Sequence, residues 1–424
     1  MNFSDSEIVA SIMKDNDYAL AADISQADVI FVNTCSIRDR AEKRVRNRIQ
    51  EFKSLKKHNK SLVVGILGCM AERLKLQLLE EEKFVDMIVG PDAYRDIPKL
   101  LTKVESGQKG VNVLLSQEET YSDLNPVRLD SNGVTAFISI MRGCQNFCSY
   151  CVVPLTRGKE RSRDASSIIQ EAKGLFDKGY REITLLGQNV NSYKDENGYN
   201  FATLLKKVAL INPLLRIRFA TSHPKDISDE LLDTIAAHHN ICRSIHLPVQ
   251  SGSRSILKLM NRKYDREDYI NRIDAIKKKV ADCAISTDII SGFCDETEED
   301  HRQTLSLMKY AAFDFAFMFK YSERPGTHAA ENMQDNIPDN IKSRRLEEII
   351  ALQKDLSLKS NNKDIGKTFE VLVESFSKRS KEFVSGRNSQ NKMIIFPQKD
   401  FKPGDYVQVK VTACTSASLK GEAV

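Results

Sequence analysis

Apolar residues in the first hundred positions come in short continuous runs separated by stretches with helical spacing. Asp28 to Asn33, Leu62 to Leu67 and Val85 to Val89 read as buried strands, and the segments at about 38–57 and 71–82 read as amphipathic helices between them. That alternation predicts a small parallel α/β domain. A polar stretch near 104–133, with Ser116-Gln-Glu-Glu and Ser131-Asn-Gly, predicts a linker. From 134 the alternation resumes over longer units, with candidate strands at 136–140, 181–187, 215–220, 243–249, 283–290 and 313–321. Six βα units predict a partial barrel, a (β/α)6 array in place of a full eightfold one. A polar helix near 340–360 leads to a tail of short β-like runs at 367–374, 382–386, 392–396 and 405–413, with a Lys402-Pro-Gly-Asp turn. The tail predicts an OB-like five-stranded all-β module, a fold often used on oligonucleotides. The predicted division is 1–104, a linker 105–133, 134–360 and 361–424.

Composition narrows the setting. The chain has 424 residues, enough for two or three domains, and no run of about 18 apolar residues or basic-then-apolar leader. A cytoplasmic protein without a membrane span is expected. Nine cysteines, an odd number spread unevenly, favour reduced thiols with metal or catalytic roles over a disulfide framework. The net charge is only +5, but residues 361–424 hold eleven Lys and Arg against seven Asp and Glu. A basic terminal module fits a nucleic-acid contact or simply a solvated surface.

Cys144, Cys148 and Cys151 form a CxxxCxxC run directly after the strand at 136–140. Three thiols on one tight loop hold three corners of a cubane iron-sulfur cluster and leave one iron for a substrate. Zinc is the competing reading, but structural zinc takes four protein ligands, and no His lies nearby. Cys35 and Cys69 each follow a predicted strand and precede a predicted helix, where thiolate is favoured. Adjacent parallel strands would bring them together as a second metal site; two unrelated loop cysteines are the plainer account. Cys242, Cys283, Cys294 and Cys414 lack such a context and read as small buried apolar residues.

Other polar residues gather around these thiols and at strand ends. Tyr150 sits between the second and third cysteines, placed to shield a cluster or pack on an adenine. Pro154 to Arg163 carries Arg157, Lys159, Arg161 and Arg163, either an exposed basic loop or a phosphate clamp. Gly187-Gln188-Asn189 follows the second barrel strand, with amides suited to an amine or carboxylate. Ser222 in Thr221-Ser-His-Pro, His246 and Gln250 in His246-Leu-Pro-Val-Gln-Ser-Gly, and Asp288 in Ser286-Thr-Asp end the next three. Polar groups at successive strand ends are what a barrel-mouth site requires.

The CxxxCxxC run resembles that of the radical S-adenosylmethionine enzymes, and nearly the whole chain resembles their methylthiotransferase family. The segments at 33–38, 151–163, 185–193, 218–224, 246–253 and 321–327 are most similar to the branch acting on N6-(dimethylallyl)adenosine in tRNA. Branches acting on a ribosomal protein or on threonylcarbamoyl-adenosine share the architecture but differ around the second N-terminal cysteine. The resemblance implies an N-terminal cysteine domain, a radical core and a C-terminal TRAM RNA-binding module. It implies two [4Fe-4S] clusters, one on Cys144, Cys148 and Cys151 and one on Cys35 and Cys69. S-adenosylmethionine would bind the open iron of the first, with Tyr150, Gly187, Gln188, Asn189, Ser222, His246, Gln250 and Asp288 around it. The radical generated from it would take hydrogen from C2 of the adenine, and the second cluster would supply sulfur. The implied substrate is a tRNA anticodon loop, whose target base can splay out without opening a duplex. Arg157, Lys159, Arg161, Arg163, Lys378, Arg379 and Arg387 would hold its backbone. A flavodoxin or ferredoxin as electron donor, sulfur-delivery or cluster-assembly proteins, and a monomeric state complete the expectation. A zinc-holding, non-catalytic RNA-binding protein is the reading from another class.

One departure stands out. The family's second cluster has three cysteines, the first in a YGCQMN-like motif, and only Met1-Asn2 matches the end of that motif here. A start assigned too late or a truncated record is the preferred account of the absent cysteine. A genuine loss would leave a protein that cleaves S-adenosylmethionine without inserting sulfur.

Overall fold

The structure is a computed structural model that describes residues 1–36, 39–129, 132–377 and 380–424, with 39–41 described by backbone alone. Lys378 and Arg379 therefore lie outside the described residues. The chain forms two compact units: Met1–Leu129 with Met141–Arg163 and Arg324–Thr327, and Asp130–Ile140 with Asp164–Glu323 and His328–Val424.

The first unit opens with helix α1 (Asn2–Lys14), followed by β1 (Val29–Thr34), α2 (Asp39–His58), β2 (Val63–Gly68), α3 (Cys69–Leu74), α4 (Leu76–Glu81), β3 (Met87–Val89), α5 (Ile97–Glu105) and β4 (Gly110–Asn112). The strands form one parallel sheet in the order β1-β2-β3-β4. The three expected strands are present; β4, inside the expected linker, is added. Its three residues are too short to show a period, and pairing with β3 alone makes them a strand. The single helix expected at 71–82 is two, because Lys75 takes φ 49° and breaks the ladder between α3 and α4. Ile8, Ile12, Leu67, Met87, Tyr94 and Leu100 fill one core against α1 and α5, and Ile49, Ile66, Met70 and Leu78 fill another against α2.

The chain then passes through β5 (Thr135–Ser139) of the second unit and continues in the first as β6 (Met141–Arg142), α6 (Val153–Arg157) and β7 (Arg161–Ser162). β6 and β7 pair antiparallel and close the base of the excursion that carries the three clustered cysteines.

In the second unit follow α7 (Ala165–Asp177), β8 (Glu182–Leu186), α8 (Phe201–Ala209), β9 (Arg216–Ala220), α9 (Asp229–Ala237), β10 (Ser244–His246), α10 (Arg254–Leu259), α11 (Arg266–Lys279), β11 (Ala284–Ser291), α12 (Glu298–Ala311) and β12 (Phe315–Lys320). Parallel sheets β5-β8-β9 and β10-β11-β12 contain all six expected barrel strands, and a parallel bridge from Ile217 to Ile241 links the two. Capping boxes at Asp265 and Thr297 start α11, after α10, and α12, after β11.

After α13 (His328–Asn332) and the long α14 (Asp339–Asn362), the tail forms β13 (Thr368–Ser377), β14 (Ser380–Arg387), β15 (Met393–Pro397), β16 (Tyr406–Cys414) and β17 (Leu419–Ala423). These close into a barrel in the order β13-β14-β15-β17-β16, around Val371, Val384, Ile394, Phe396, Val409 and Val411. The barrel is anchored within its unit through β9. Arg216 and Arg218 share buried Glu182, and their remaining nitrogens donate to the carbonyls of Arg387, Asn388 and Ser389. Of the four cysteines read as buried, Cys242 and Cys294 are; Cys283 and Cys414 are half-buried, because each lies next to an end of its strand.

Candidate functional site

In the first unit the cysteine loop is shaped by backbone constraints at both ends. Gly143 has φ 79°, and a Cβ there would stand 1.9 Å from the Lys159 carbonyl oxygen, so only glycine fits this close approach. Cys144 N–H donates to the Gly158 carbonyl (3.1 Å), and Cys151 N–H to the Cys148 carbonyl (2.9 Å), which folds the second half into a turn. Between them Phe147 takes φ 49°, uncommon for a bulky side chain. Cys148 is buried, and Cys144, Tyr150 and Cys151 are half-buried. Burial pushes the Cys144 thiol up. None of the nine cysteines forms a disulfide. Among the described residues no three His, Cys, Asp or Glu side chains are gathered as a finished metal cage.

Cys35 and Cys69 follow β1 and β2, whose register pairs Thr34 with Gly68, so the two cysteines continue adjacent strand ends. Thr34 ties these ends together: its hydroxyl donates to the Leu67 carbonyl (2.7 Å) and accepts from Met70 N–H (3.2 Å). Cys69 opens α3 and is buried.

The structure corrects the expectation of a phosphate clamp for Arg157, Arg161 and Arg163. All three are buried, and only Lys159 of the four cations is exposed. Arg157 donates from Nε to Cys69 Sγ (3.2 Å) and from Nη2 to Asp5, while its Nη1 has no hydrogen-bond partner. Asp5 also accepts from Arg142 (2.9 Å); Arg142 lies 3.6 Å from Asp92, which accepts both oxygens' worth of bonds from Arg161 at 2.9 Å. The result is an alternating buried chain, Arg157, Asp5, Arg142, Asp92, Arg161, that runs from α6 through α1 and β6 to β7 and ends on the Cys69 sulfur. Burial alone would raise the Asp5 carboxyl, but Arg142 and Arg157 hold it below the usual range; at Asp92 burial prevails and the carboxyl is raised. Arg163 donates to the Ser122 carbonyl (3.4 Å). Arg387 in the C-terminal barrel pairs with Glu374 (2.5 Å) and keeps part of its surface in solvent.

Glu72, one turn after Cys69, is 2% exposed with one carboxylate oxygen lacking a partner. Burial raises it to about 7 against the opposing pull of Lys75. A carboxyl raised on folding binds its proton more tightly in the native state, so its contribution to stability declines as pH rises from the unfolded value to about 7. Glu72→Gln is therefore expected to stabilise the protein at pH 8 by roughly 3–4 kcal/mol, from about 1.4 kcal/mol per pH unit, and to change it little at pH 4.5. Urea unfolding at both pH values checks this; equal shifts would contradict it.

In the second unit the expected polar residues of β8, β9 and β10 lie at or just beyond the carboxyl ends of these strands, whereas Asp288 lies in the body of β11. After β8, Val190 N–H donates to the Thr221 carbonyl (3.0 Å) and Asn189 Nδ2 to Asp226 (2.7 Å), which joins the β8 and β9 loops. This joined region carries buried polar atoms without partners: Gln188 Oε1, Asn189 Oδ1, both Asn191 side-chain atoms, Ser222 Oγ and His223 Nε2. Gly187 is buried beside them. His223 is held neutral, down to about 2, by burial and by Arg262 and Lys225. Its Nδ1 accepts from Lys225 N–H (3.4 Å), so Nε2 carries the proton. Thr221 at φ 72° and Gln250 at φ 71° mark strained turns just after β9 and β10, and such strain collects at functional sites. Gln250 accepts and donates backbone bonds with β11 through Asp288 and Ile290. His246 bonds Ser286 Oγ through Nδ1 (3.0 Å) and lies 3.5 Å from Asp288 through Nε2. Asn191 and His223 sit within motifs already singled out, but a period or spacing gives no sign of which amide or imidazole turns inward.

A parallel partial barrel whose first strand leads into a CxxxCxxC loop makes this a radical S-adenosylmethionine protein. Family models match accordingly: the radical SAM superfamily over residues 138–308, the uncharacterized protein family UPF0004 over 1–90 and the TRAM domain over 362–424. Curated relatives named tRNA-2-methylthio-N(6)-dimethylallyladenosine synthase match from end to end: 57% identity in Amoebophilus asiaticus, covering all of this chain and 90% of that one, and 56% in Chloroherpeton thalassium, covering all and 94%. The chain belongs to the tRNA-2-methylthio-N(6)-dimethylallyladenosine synthase family. Among solved structures, the radical S-adenosylmethionine methyltransferase TsrM from Kitasatospora setae shares the fold at a TM-score of 0.58 and 15% identity, over 77% of this chain and 73% of that one in its cobalamin and [4Fe-4S] form. The cobalamin-dependent radical enzyme OxsB does so at 0.54 and 14%, over 83% and 53%. Among the described residues no helix is long and apolar enough to cross a membrane.

Proposed function

We propose that the protein methylthiolates C2 of N6-(dimethylallyl)adenosine next to the anticodon of tRNA. The observation that carries the reading is the pair of thiol sets in the first unit, one on the CxxxCxxC loop and one at adjacent strand ends, with Arg157 bonded to the second. Its family membership gives the substrate. Three thiols on a tight loop, none in a disulfide, suit the donor chemistry of a cubane cluster. Cys144, Cys148 and Cys151 would hold the first, and Cys35 and Cys69 would contribute to the second. The partnerless atoms at the β8 and β9 ends suit a zwitterion: Gln188 Oε1 and Asn189 Oδ1 accept from an ammonium, and Asn191 Nδ2 and His223 Nε2 donate to a carboxylate. When bound, the clusters and S-adenosylmethionine supply radical cleavage, hydrogen abstraction and sulfur. His246, Gln250 and Asp288 would complete the nucleoside end of the site.

In this reading residues 1–104 form the cysteine domain, 105–133 a connection, 134–360 the radical core and 361–424 the RNA-binding module. Exposed Lys159 would reach the RNA backbone directly, and Arg387 would do so by exchanging Glu374 for a phosphate. A flavodoxin or ferredoxin would deliver electrons, and assembly proteins would replenish sulfur, in the cytoplasm. Nucleoside analysis of tRNA from a strain lacking the gene tests the reading: the 2-methylthio derivative should vanish, N6-(dimethylallyl)adenosine should accumulate, and the gene should restore the first. Unchanged methylthio content would overturn it.

A further inference from the structure

Sheet β10-β11-β12 has one packed face and one open face. Ile245, Thr287, Ile289 and Ala316 are buried on the first, whereas His246, Ser286 and Asp288 on the second are half-buried. In the amino-terminal half of β12 the open face carries two apolar rings: Phe315 and Phe317 are 50% and 47% exposed, although Ala316 between them is buried. Strand register sets Phe315 beside Ser286 and Phe317 beside Asp288. The rings meet edge to face at 4.9 Å, and Phe317 meets the His246 imidazole the same way at 5.9 Å. Isolated exposed apolar residues are ordinary; two coupled rings registered beside the half-buried Ser286 and Asp288 in the body of β11 make an amphipathic surface.

We infer that Phe315 and Phe317 read the dimethylallyl substituent of the target adenine, and so set the preference for an adenosine that is already prenylated. This rests on the proposed tRNA reading and deepens it. The substrate's chemistry matches the surface in kind: a planar nitrogen base that can lie beside the Ser286 hydroxyl, next to the cofactor groups His246 and Asp288, carrying a five-carbon apolar arm that needs apolar cover. An aromatic surface covers such an arm without demanding a hydrogen bond that the arm cannot make. A carbamoyl-type polar substituent would leave its amide groups against two phenyl rings without partners, so the same surface discriminates against it.

The test uses reconstituted full-length protein and two anticodon stem-loops that differ only in carrying N6-(dimethylallyl)adenosine or plain adenosine at the target position. Binding is read by fluorescence anisotropy without reductant, and turnover by kcat/KM with it. Native protein should prefer the prenylated RNA, and Phe317→Ala should shrink that preference about tenfold in both readouts, the scale of one lost apolar contact of this size. The Phe315→Ala Phe317→Ala pair should shrink it further, and Phe317→Leu, which keeps apolar cover, should restore most of it. A preference unchanged in the double variant would overturn the inference while leaving the tRNA reading intact. A raised KM for S-adenosylmethionine with unchanged RNA preference would also overturn it, by giving this surface to the cofactor. Native protein that methylthiolates neither RNA would remove the tRNA reading itself, and the inference with it.

Discussion

Cys148→Ser protein, reconstituted anaerobically beside the native chain, is expected to lose about four irons per chain and to cleave no detectable S-adenosylmethionine. Serine keeps the backbone turn in which Cys151 N–H bonds the residue-148 carbonyl, so the loop retains its course and only the sulfur is removed. With two thiols left on the loop, no third protein corner remains for a cubane. The companion variants Cys35→Ser and Cys69→Ser separate the two thiol sets. They should retain cleavage of S-adenosylmethionine and yield no methylthiolated RNA, because the loop thiols are untouched while the proposed sulfur-supplying site is not. Iron analysis, deoxyadenosine formation and nucleoside analysis read the three outcomes. Undiminished iron and cleavage in Cys148→Ser would defeat the assignment of the loop.

Asp5→Ala should destabilise the apoprotein by about 3–5 kcal/mol, the cost of breaking a buried ion pair by removing one partner. Asp5 is fully buried between Arg142 and Arg157, which are 1% and 3% exposed, so its loss leaves two guanidinium groups without their shared carboxylate. The carboxyl is held below its ordinary range in the native state. The stability it contributes is thus present above the unfolded value near 4 and is lost as pH falls through the lower folded one. Asp5→Asn, which keeps the shape and can still accept hydrogen bonds, should cost less than Asp5→Ala at pH 7. The two variants and the native protein should converge in strongly acidic solution. Urea unfolding across pH checks the pattern; a loss below about 1 kcal/mol for Asp5→Ala would mean that water or another anion satisfies the arginines.

The arginines also show where sequence reading stopped. The run from Pro154 to Arg163 presents cations at a spacing that fits a solvated strip or a phosphate clamp equally well, and the acids that neutralise it lie far away in sequence. Asp5 is 152 positions from Arg157, and Asp92 is 69 from Arg161. Local pattern carries no sign of such partners, and Asp5 itself sits in α1 with nothing in its neighbours to mark it. Barrel strands were legible because each is a run of apolar residues bounded by turns, long enough for its period to register. Strands β4 and β17 were not, since Gly110–Asn112 and Leu419–Ala423 hold no run of apolar residues and become strands only by pairing. The exposed pair Phe315 and Phe317 lies in an apolar run that reads only as a candidate strand; the burial of Ala316 between them shows which face each side chain takes.

The sequence by itself determined the chemistry at hand: three thiols at CxxxCxxC, two more after successive strands, and polar groups at each barrel strand end. These depend on spacing within one element, which the covalent chain sets directly. Tertiary structure alone decided what those groups face. It turned three of the four loop cations inward onto Asp5, Asp92 and the chain's own carbonyls, bonded Arg157 to Cys69, and left Gln188, Asn191, Ser222 and His223 with buried atoms that lack partners. The physical reason is that burying a charge or a dipole is costly unless it is matched, and its match is chosen by packing among residues that the chain keeps far apart.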